Sequence, residues 1–323
     1  MTSRTRTETG PEAAAELDLE NIARAREAID PVFLDSPQYR EAALEARLGR
    51  QVLVKVETLN PLRSFKGRGA EFAAAQAPGG AELVCASGGG NFGQAVAYAA
   101  RRRGMTAVVF VPASTSPLKT GRMEGFGARV HRVDGDFQAA AAAYAAEDPE
   151  RLFVQDGKDA AVAEGAGTIG AELLRTGGFD AVVLPLGDGA LITGVARWIK
   201  AHAPGVRIIG AGAAAAPALP RAWRTGDPVP AAPTSTFAAG ITIARPHPEA
   251  VRRTRALVDE VVLVDDGQIR SAMHLAAETL GVLPEPAGAA GLAAIAAHGV
   301  PGPVATVITG ANADLEHYRG LGA

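Results

Sequence analysis

The chain has 323 residues, 47% hydrophobic and 21% charged, which is the balance of a globular protein long enough for a sizeable core and about two domains. A formal charge of −3 excludes the electrostatic footprint of a nucleic-acid or anionic-membrane binder, and no run of about 18 uncharged apolar residues is present to span a membrane as a helix. The single cysteine, Cys85, excludes an intrachain disulfide and fits a reducing compartment, so a cytoplasmic location is expected.

Residues 1–16 are polar and alanine-rich, without the basic region and apolar core of a secretory signal, and are expected to form a mobile leader. A helix is predicted over 17–29. The apolar run at 51–57 is the first strand, followed by Asn60-Pro61-Leu62-Arg63-Ser64-Phe65-Lys66-Gly67-Arg68-Gly69-Ala70. Further strands are predicted at 82–86, 106–111, 128–133, 152–155, 180–186, 207–212, 260–264 and 304–309. Helices are predicted at 94–103, 137–146, 165–175, 191–203, 267–280 and 288–297. Gly104, after Arg101-Arg102-Arg103, reads as a helix C-cap. The alanine tract at 139–143 suits a helix; that at 213–216, before Pro217 and Pro220, reads as a loop. Strands that are continuously apolar rather than alternating, each followed by a helix, predict an α/β fold of open, mostly parallel sheets covered on both faces. The six histidines are scattered without metal-ligand spacing, and no metal site is expected.

Lys66 opens a predicted helix between an aromatic and a glycine, an odd place for a solvated charge. Small neighbours admit a large partner, and a desolvated lysine has a lowered pKa and attacks carbonyl compounds. Open parallel sheets gather ligands at the carboxyl ends of their strands, and three strand ends carry unusual loops. Ser87-Gly88-Gly89-Gly90-Asn91-Phe92-Gly93-Gln94 offers backbone amides at a helix N-terminus, an anion site. Its glycines 88, 90 and 93 also match G-x-G-x-x-G. That fingerprint needs a carboxylate at the end of the next strand to hold a ribose, and Val111-Pro112-Ala113-Ser114 has none, which weighs against a nicotinamide-binding oxidoreductase. Gly187-Asp188-Gly189-Ala190-Leu191 fits a phosphate loop or a tight turn needing positive φ. Thr309, in Ile308-Thr309-Gly310-Ala311-Asn312, offers a neutral hydroxyl or caps a turn. A nucleophilic lysine, a phosphate-type loop, an asparagine loop and a hydroxyl together suit a phosphorylated aldehyde held as a Schiff base, with pyridoxal 5'-phosphate the natural candidate.

In this order the segments resemble the fold-type II pyridoxal-phosphate enzymes, whose architecture is that of the tryptophan synthase β-like fold. The resemblance is closest to the serine/threonine dehydratase (threonine ammonia-lyase) branch and runs from about 19 to 315. It rests on Ser36-Pro37, Ser64-Phe65-Lys66-x-Arg68-Gly69-Ala70, Gly90-Asn91-Phe92-Gly93-Gln94, Pro117-x-Lys119 with Gly127-Ala128, Gly187 to Leu191, Thr236-Phe237-Ala238-Ala239-Gly240-Ile241, Glu285-Pro286-Ala287-Gly288-Ala289 and Thr309-Gly310-Ala311-Asn312. The resemblance implies that Lys66 holds the cofactor and removes the α-proton. It implies that Asn91 bonds the ring hydroxyl, Gly187, Asp188, Gly189, Ala190 and Leu191 hold the phosphate, and Thr309 meets the pyridine nitrogen. Phe65 and Glu285 join the cofactor set. Ser87, Gly88, Gly89, Gly90 and Asn91 are the implied substrate-binding segment.

The departures are informative. Serine racemase places a serine two residues before the asparagine as a second acid/base; Gly89 stands there, which counts against racemisation. Asp188 replaces a usual glycine in the phosphate loop, and its carboxylate is expected to point away from the phosphate. Ala239 stands where aspartate is common, and Gly212 where a glutamate is linked to a divalent-metal site. The implied activity is β-elimination on a small β-hydroxy or β-substituted amino acid such as serine or threonine, giving a 2-oxo acid and ammonia. The alternative is β-replacement, as in cysteine synthases. The implied architecture places residues 17–81 and 163–323 in a large cofactor-binding domain and 82–162 in a smaller inserted one, in a homodimer.

Overall fold

The computed structural model describes residues 10–228 and 236–319. The first part of the chain forms α1 (Gly10–Ala15), α2 (Leu19–Ala28), β1 (Gln38–Arg40), α3 (Ala42–Leu48), β2 (Val52–Val56) and α4 (Lys66–Ala75). A four-stranded unit follows: β3 (Glu82–Ala86), α5 (Asn91–Arg102), β4 (Thr106–Pro112), α6 (Pro117–Gly125), β5 (Arg129–Val133), α7 (Phe137–Ala146) and β6 (Arg151–Phe153). The remainder comprises α8 (Ala160–Thr176), β7 (Ala181–Pro185), α9 (Ala190–His202), β8 (Arg207–Ala213), α10 (Ala218–Thr225), α11 (Pro248–Leu257), β9 (Glu260–Val264), α12 (Asp266–Leu280), α13 (Pro286–His298) and β10 (Val304–Ile308).

Two sheets result. The larger has the order β1-β2-β10-β7-β8-β9, parallel except for β1 against β2; the smaller, β5-β4-β3-β6, is wholly parallel. Every residue of β2, β7 and β10 is buried, as continuous apolar runs require when helices cover both faces. The α/β class and parallel sheets expected from the sequence are present.

Several elements differ from expectation. Polar Gln38-Tyr39-Arg40 forms the antiparallel edge β1, pairing Gln38 with Lys55; three residues carry too little pattern to reveal a strand. The helices at 42–48, 117–125 and 248–257 are additional to those expected, and α8 starts at 160 rather than 165. The tract at 213–216 leads into a helix, since Pro217 is the N-cap of α10 and Pro220 lies in its first turn, where a missing N–H breaks no helical bond. Within the segment expected to be a mobile leader, Ala13 of α1 is buried, and Glu16 pairs with Arg252 and Arg253, both at 2.9 Å. The rest of that leader lies outside the described residues.

Beneath the helix that Lys66 opens lies a fully buried charge cluster. Arg68 donates from Nε and Nη2 to Glu57 (2.9 and 2.8 Å), from Nη1 and Nη2 to Glu172 (2.7 and 2.8 Å), and from Nη1 to Thr168 (2.9 Å). Lys55 Nζ meets Glu172 Oε2 at 2.5 Å. Two cations thus face two carboxylates, and the cluster ties β2, α4 and α8 together. Close helix approach makes this possible: a Cβ at Gly165 would meet the Arg68 carbonyl at 2.5 Å, and one at Gly194 would overlap the Ala163 carbonyl.

Candidate active site

The end of β10 is threaded between two other segments. Phe65 donates its N–H to the Thr309 carbonyl (3.0 Å), Ala311 to Arg63 (2.9 Å) and Glu285 to Gly310 (2.9 Å). Asn60 shapes the turn before the lysine, its Oδ1 accepting from the Leu62 N–H at 3.0 Å and its Nδ2 donating to the Glu57 and Ser64 carbonyls at 2.9 and 3.2 Å. Lys66 is therefore held at the first position of α4, its backbone N–H bonded to Ser64 Oγ at 3.3 Å.

A cavity of about 780 Å³ lies at the carboxyl ends of the strands. Phe65, Lys66 and Thr309 border it, as does each residue from Ser87 to Asn91. So do Gly187, Asp188, Gly189, Leu191 and Glu285. Ala190 alone among the candidate site residues is not part of its wall.

Lys66 Nζ donates to Asp156 Oδ2 at 2.5 Å and to Asp188 Oδ2 at 2.8 Å, with 11, 16 and 15% of the three side chains exposed. Asp156 follows β6 in the smaller sheet and Asp188 follows β7 in the larger, so the amine bridges both. This corrects the expected lowered lysine pKa. Burial alone would lower it, but the two carboxylates outweigh burial and hold the ammonium firmly protonated. Burial and the charge of Asp188 push Asp156 up to about 7, against the opposing pull of Lys66. Asp188 is lowered: burial acts upward, but Lys66 and the Ala190 N–H prevail.

Asp188 also departs from expectation by turning inward. Its Oδ1 accepts the Ala190 N–H at 2.9 Å, occupying an amide assigned from sequence to a phosphate. The asparagine and phosphate-type loops share a device, since Gly90 (φ 95°) and Gly189 (φ 98°) are left-handed N-caps of α5 and α9. Such caps leave backbone amides facing an anion. Ser87 Oγ accepts the Gly93 N–H at 3.0 Å, which fixes the loop and leaves its hydroxyl proton free to donate. A Cβ at Gly88 or Gly89 would make only ordinary contacts, so neither glycine is demanded by packing.

Asn91 is clamped from two sides. Its Nδ2 donates to Glu285 Oε1 at 2.6 Å, and its Oδ1 accepts from Asn312 Nδ2 at 2.8 Å. Glu285 Oε2 accepts the Asn312 N–H at 3.2 Å; burial raises the Glu285 carboxyl, opposed by these donors. Asn312 and Asp156 are not among the sequence candidates. Asn312 lies inside a quoted motif. Asp156 could be found as a carboxylate just past the strand at 151–153, where ligands gather.

Residues 29–310 match the family described as pyridoxal-phosphate dependent enzyme. The chain is 37% identical over 278 residues to an L-threonine ammonia-lyase of Geobacter sulfurreducens, covering 84% of this chain and 69% of that protein. It is 33% identical over 294 residues to the L-threonine dehydratase biosynthetic IlvA of Pasteurella multocida, covering 88% of this chain but only 57% of that one. The chain thus spans little more than half of the Pasteurella protein. Its structure superposes on a threonine deaminase of T.th. with a TM-score of 0.86 at 31% identity, covering 92% of this chain and 99% of that one.

Proposed function

The chain belongs to the pyridoxal-phosphate-dependent enzymes, in their serine/threonine dehydratase branch, and on that premise we propose that it deaminates a small β-hydroxy amino acid, serine or threonine by default, to a 2-oxo acid and ammonia. The observation that carries this is the convergence of Lys66, Asn91, Thr309 and the 187–191 loop on one cavity. This donor set fits the cofactor: an amine for the aldehyde, glycine-rich amides at a helix N-terminus for the phosphate, and a neutral hydroxyl for the ring nitrogen. Asp156 Oδ1, buried without a hydrogen-bond partner among the described residues, adds an unused acceptor beside the amine. When bound, pyridoxal phosphate supplies an electron sink that acidifies the α-carbon of the amino acid and lets a β-substituent depart.

The chain's own residues do the rest. Lys66 Nζ would bind the aldehyde and later take the α-proton. Asn91, fixed by Glu285 and Asn312, keeps one amide proton for the ring hydroxyl, and the clamp stops it from rotating away. Free amides of the 187–191 loop and the positive end of α9 hold the phosphate. Thr309, being neutral, would not keep the ring nitrogen protonated, which would favour prompt loss of the β-group. Gly89 has no side chain to act as a second acid or base, so Lys66 works alone and elimination is favoured over racemisation. The amides of the Ser87–Gly90 loop face the substrate carboxylate.

Purified protein should absorb in the visible through its lysine-bound cofactor, and Lys66→Ala should abolish that band; a colourless wild type after incubation with pyridoxal phosphate sinks the assignment. Serine or threonine should then yield 2-oxo acid, whereas thioether formation on adding a thiol would favour β-replacement. We also propose a cytoplasmic homodimer with domains at 17–81 plus 163–323 and at 82–162. Sedimentation would test the dimer, and small-angle scattering with substrate would test closure of the smaller domain.

A further inference from the structure

The ammonium of Lys66 gives one proton to each of two carboxylates, Asp156 and Asp188. Joining this nitrogen to an aldehyde removes that arrangement. A carbon–nitrogen double bond forms, the carbonyl oxygen departs as water with two of the three ammonium protons, and one proton stays on nitrogen. The bond change takes up and releases no net proton. It does reduce the donors from two in use to at most one, so one carboxylate loses its partner. Asp188 keeps the Ala190 N–H at 2.9 Å, whereas Asp156 Oδ1 is buried without a hydrogen-bond partner among the described residues. We propose that Asp156 takes up a proton when the cofactor occupies Lys66, so that a proton, rather than a second cation, offsets the charge of the phosphate. This rests on the reading above that the cofactor joins Lys66 and its phosphate lies at 187–191.

The surroundings favour it. The groups that face Asp156 are Lys66 on α4, Asp188 before α9 and Cys85 on β3, whose thiol burial keeps protonated. Behind Asp188 stands His247, whose pKa is lowered by burial and which is neutral near pH 7. After the bond change the nitrogen keeps its positive charge but at most one N–H for the two carboxylates, while a phosphate brings further negative charge. An Asp156 already pushed up to about 7 beside the ammonium rises further once that N–H donor is lost and the phosphate's charge arrives. Linkage gives the sign: the loaded state binds more protons, so affinity for pyridoxal phosphate falls as pH rises above the value of Asp156 in the free protein.

The test is calorimetric titration of the apoprotein with pyridoxal phosphate, in two buffers of different ionisation heat, at about pH 9, where the phosphate is fully ionised and the free cofactor's ring nitrogen has largely lost its own proton. The expected result is uptake of about one proton per cofactor, with Kd rising roughly fivefold to tenfold per pH unit there. Asp156→Asn should remove both. Tight loading with no proton uptake, or loading that depends instead on sodium or potassium concentration, overturns the proposal. So does uptake unchanged in Asp156→Asn; the wild-type count suffices should that variant not fold. Absence of any binding or visible band overturns the cofactor reading as well, and is recognised because the titration then shows no binding heat.

Discussion

Replacing Arg68 with methionine removes one cation from a buried cluster of two cations and two carboxylates. Glu57 and Glu172, both fully buried, would then keep Lys55 as their one buried cation, with the half-exposed Arg26 at 3.6 Å from Glu172, and five hydrogen bonds would vanish. Removing one partner of a buried pair costs about 3–5 kcal/mol, because the remaining charge has no solvent to retreat to. Methionine restores part of the volume, so the loss is mostly electrostatic. The pH dependence isolates that part. In the intact cluster Glu172 is lowered: burial pushes it up, but Arg68 and Lys55 prevail. A lowered carboxylate contributes stability present above its unfolded value and lost as pH falls through its folded value. Without Arg68, burial prevails and the sign reverses: ionised Glu172 is costly at neutral pH, and protonation relieves it as pH falls. Urea unfolding of wild type and Arg68→Met at about pH 7 should show a deficit of about 3–5 kcal/mol, shrinking at about pH 5. A deficit under about 1 kcal/mol, or one independent of pH, would refute the reasoning.

Three further outcomes are expected. Gly194→Ala should destabilise by at least about 1–3 kcal/mol, since its Cβ overlaps the Ala163 carbonyl, while Gly79→Ala, with nothing within 4 Å, should be near neutral; paired thermal melts compare them. Cys85, fully buried with its thiol pushed up by burial and then by the charge of Asp156, should resist thiol reagents in the folded protein and react promptly in urea; fast native labelling contradicts the packing. Asn312→Ala should leave the fold intact but weaken pyridoxal phosphate binding about fivefold to tenfold, through lost clamping of Asn91; an unchanged Kd by absorbance titration removes the clamp from the site.

Most of the parallel strands are legible because they are largely apolar runs, β5 with its Arg129-Val130-His131-Arg132-Val133 being the exception, and the strand-end rule then locates the loops after β2, β3, β7 and β10. Less can be read where pattern is short or polar. Gln38-Tyr39-Arg40 has an edge strand's chemistry but three residues of it. Pro217 and Pro220 suggest a loop, since position within a first turn is invisible until the helix start is known. In the site, Lys66 is recognisable from its neighbours, but the direction of its pKa is not. That depends on Asp156 and Asp188, which lie 90 and 122 residues away along the chain. Asp188 is expected from sequence to point away from the phosphate; its carboxylate caps the loop, because the Ala190 N–H and the ammonium both attract it.

The place of β10 in the larger sheet bears on how the protein is made. It pairs on one side with β2 and on the other with β7, so it is the seam of that sheet. During synthesis, β1 and β2 on one hand, and β7, β8 and β9 on the other, emerge before the strand that joins them. Pairings of such sequence separation form slowly, since a long loop must close before they contribute. The same strand's exit, at 309–311, ties down the backbone from Arg63 to Phe65. Lys66 is therefore positioned by the last seam to close, and if it holds the cofactor as proposed, the appearance of cofactor colour during refolding becomes a clock for completion of the fold.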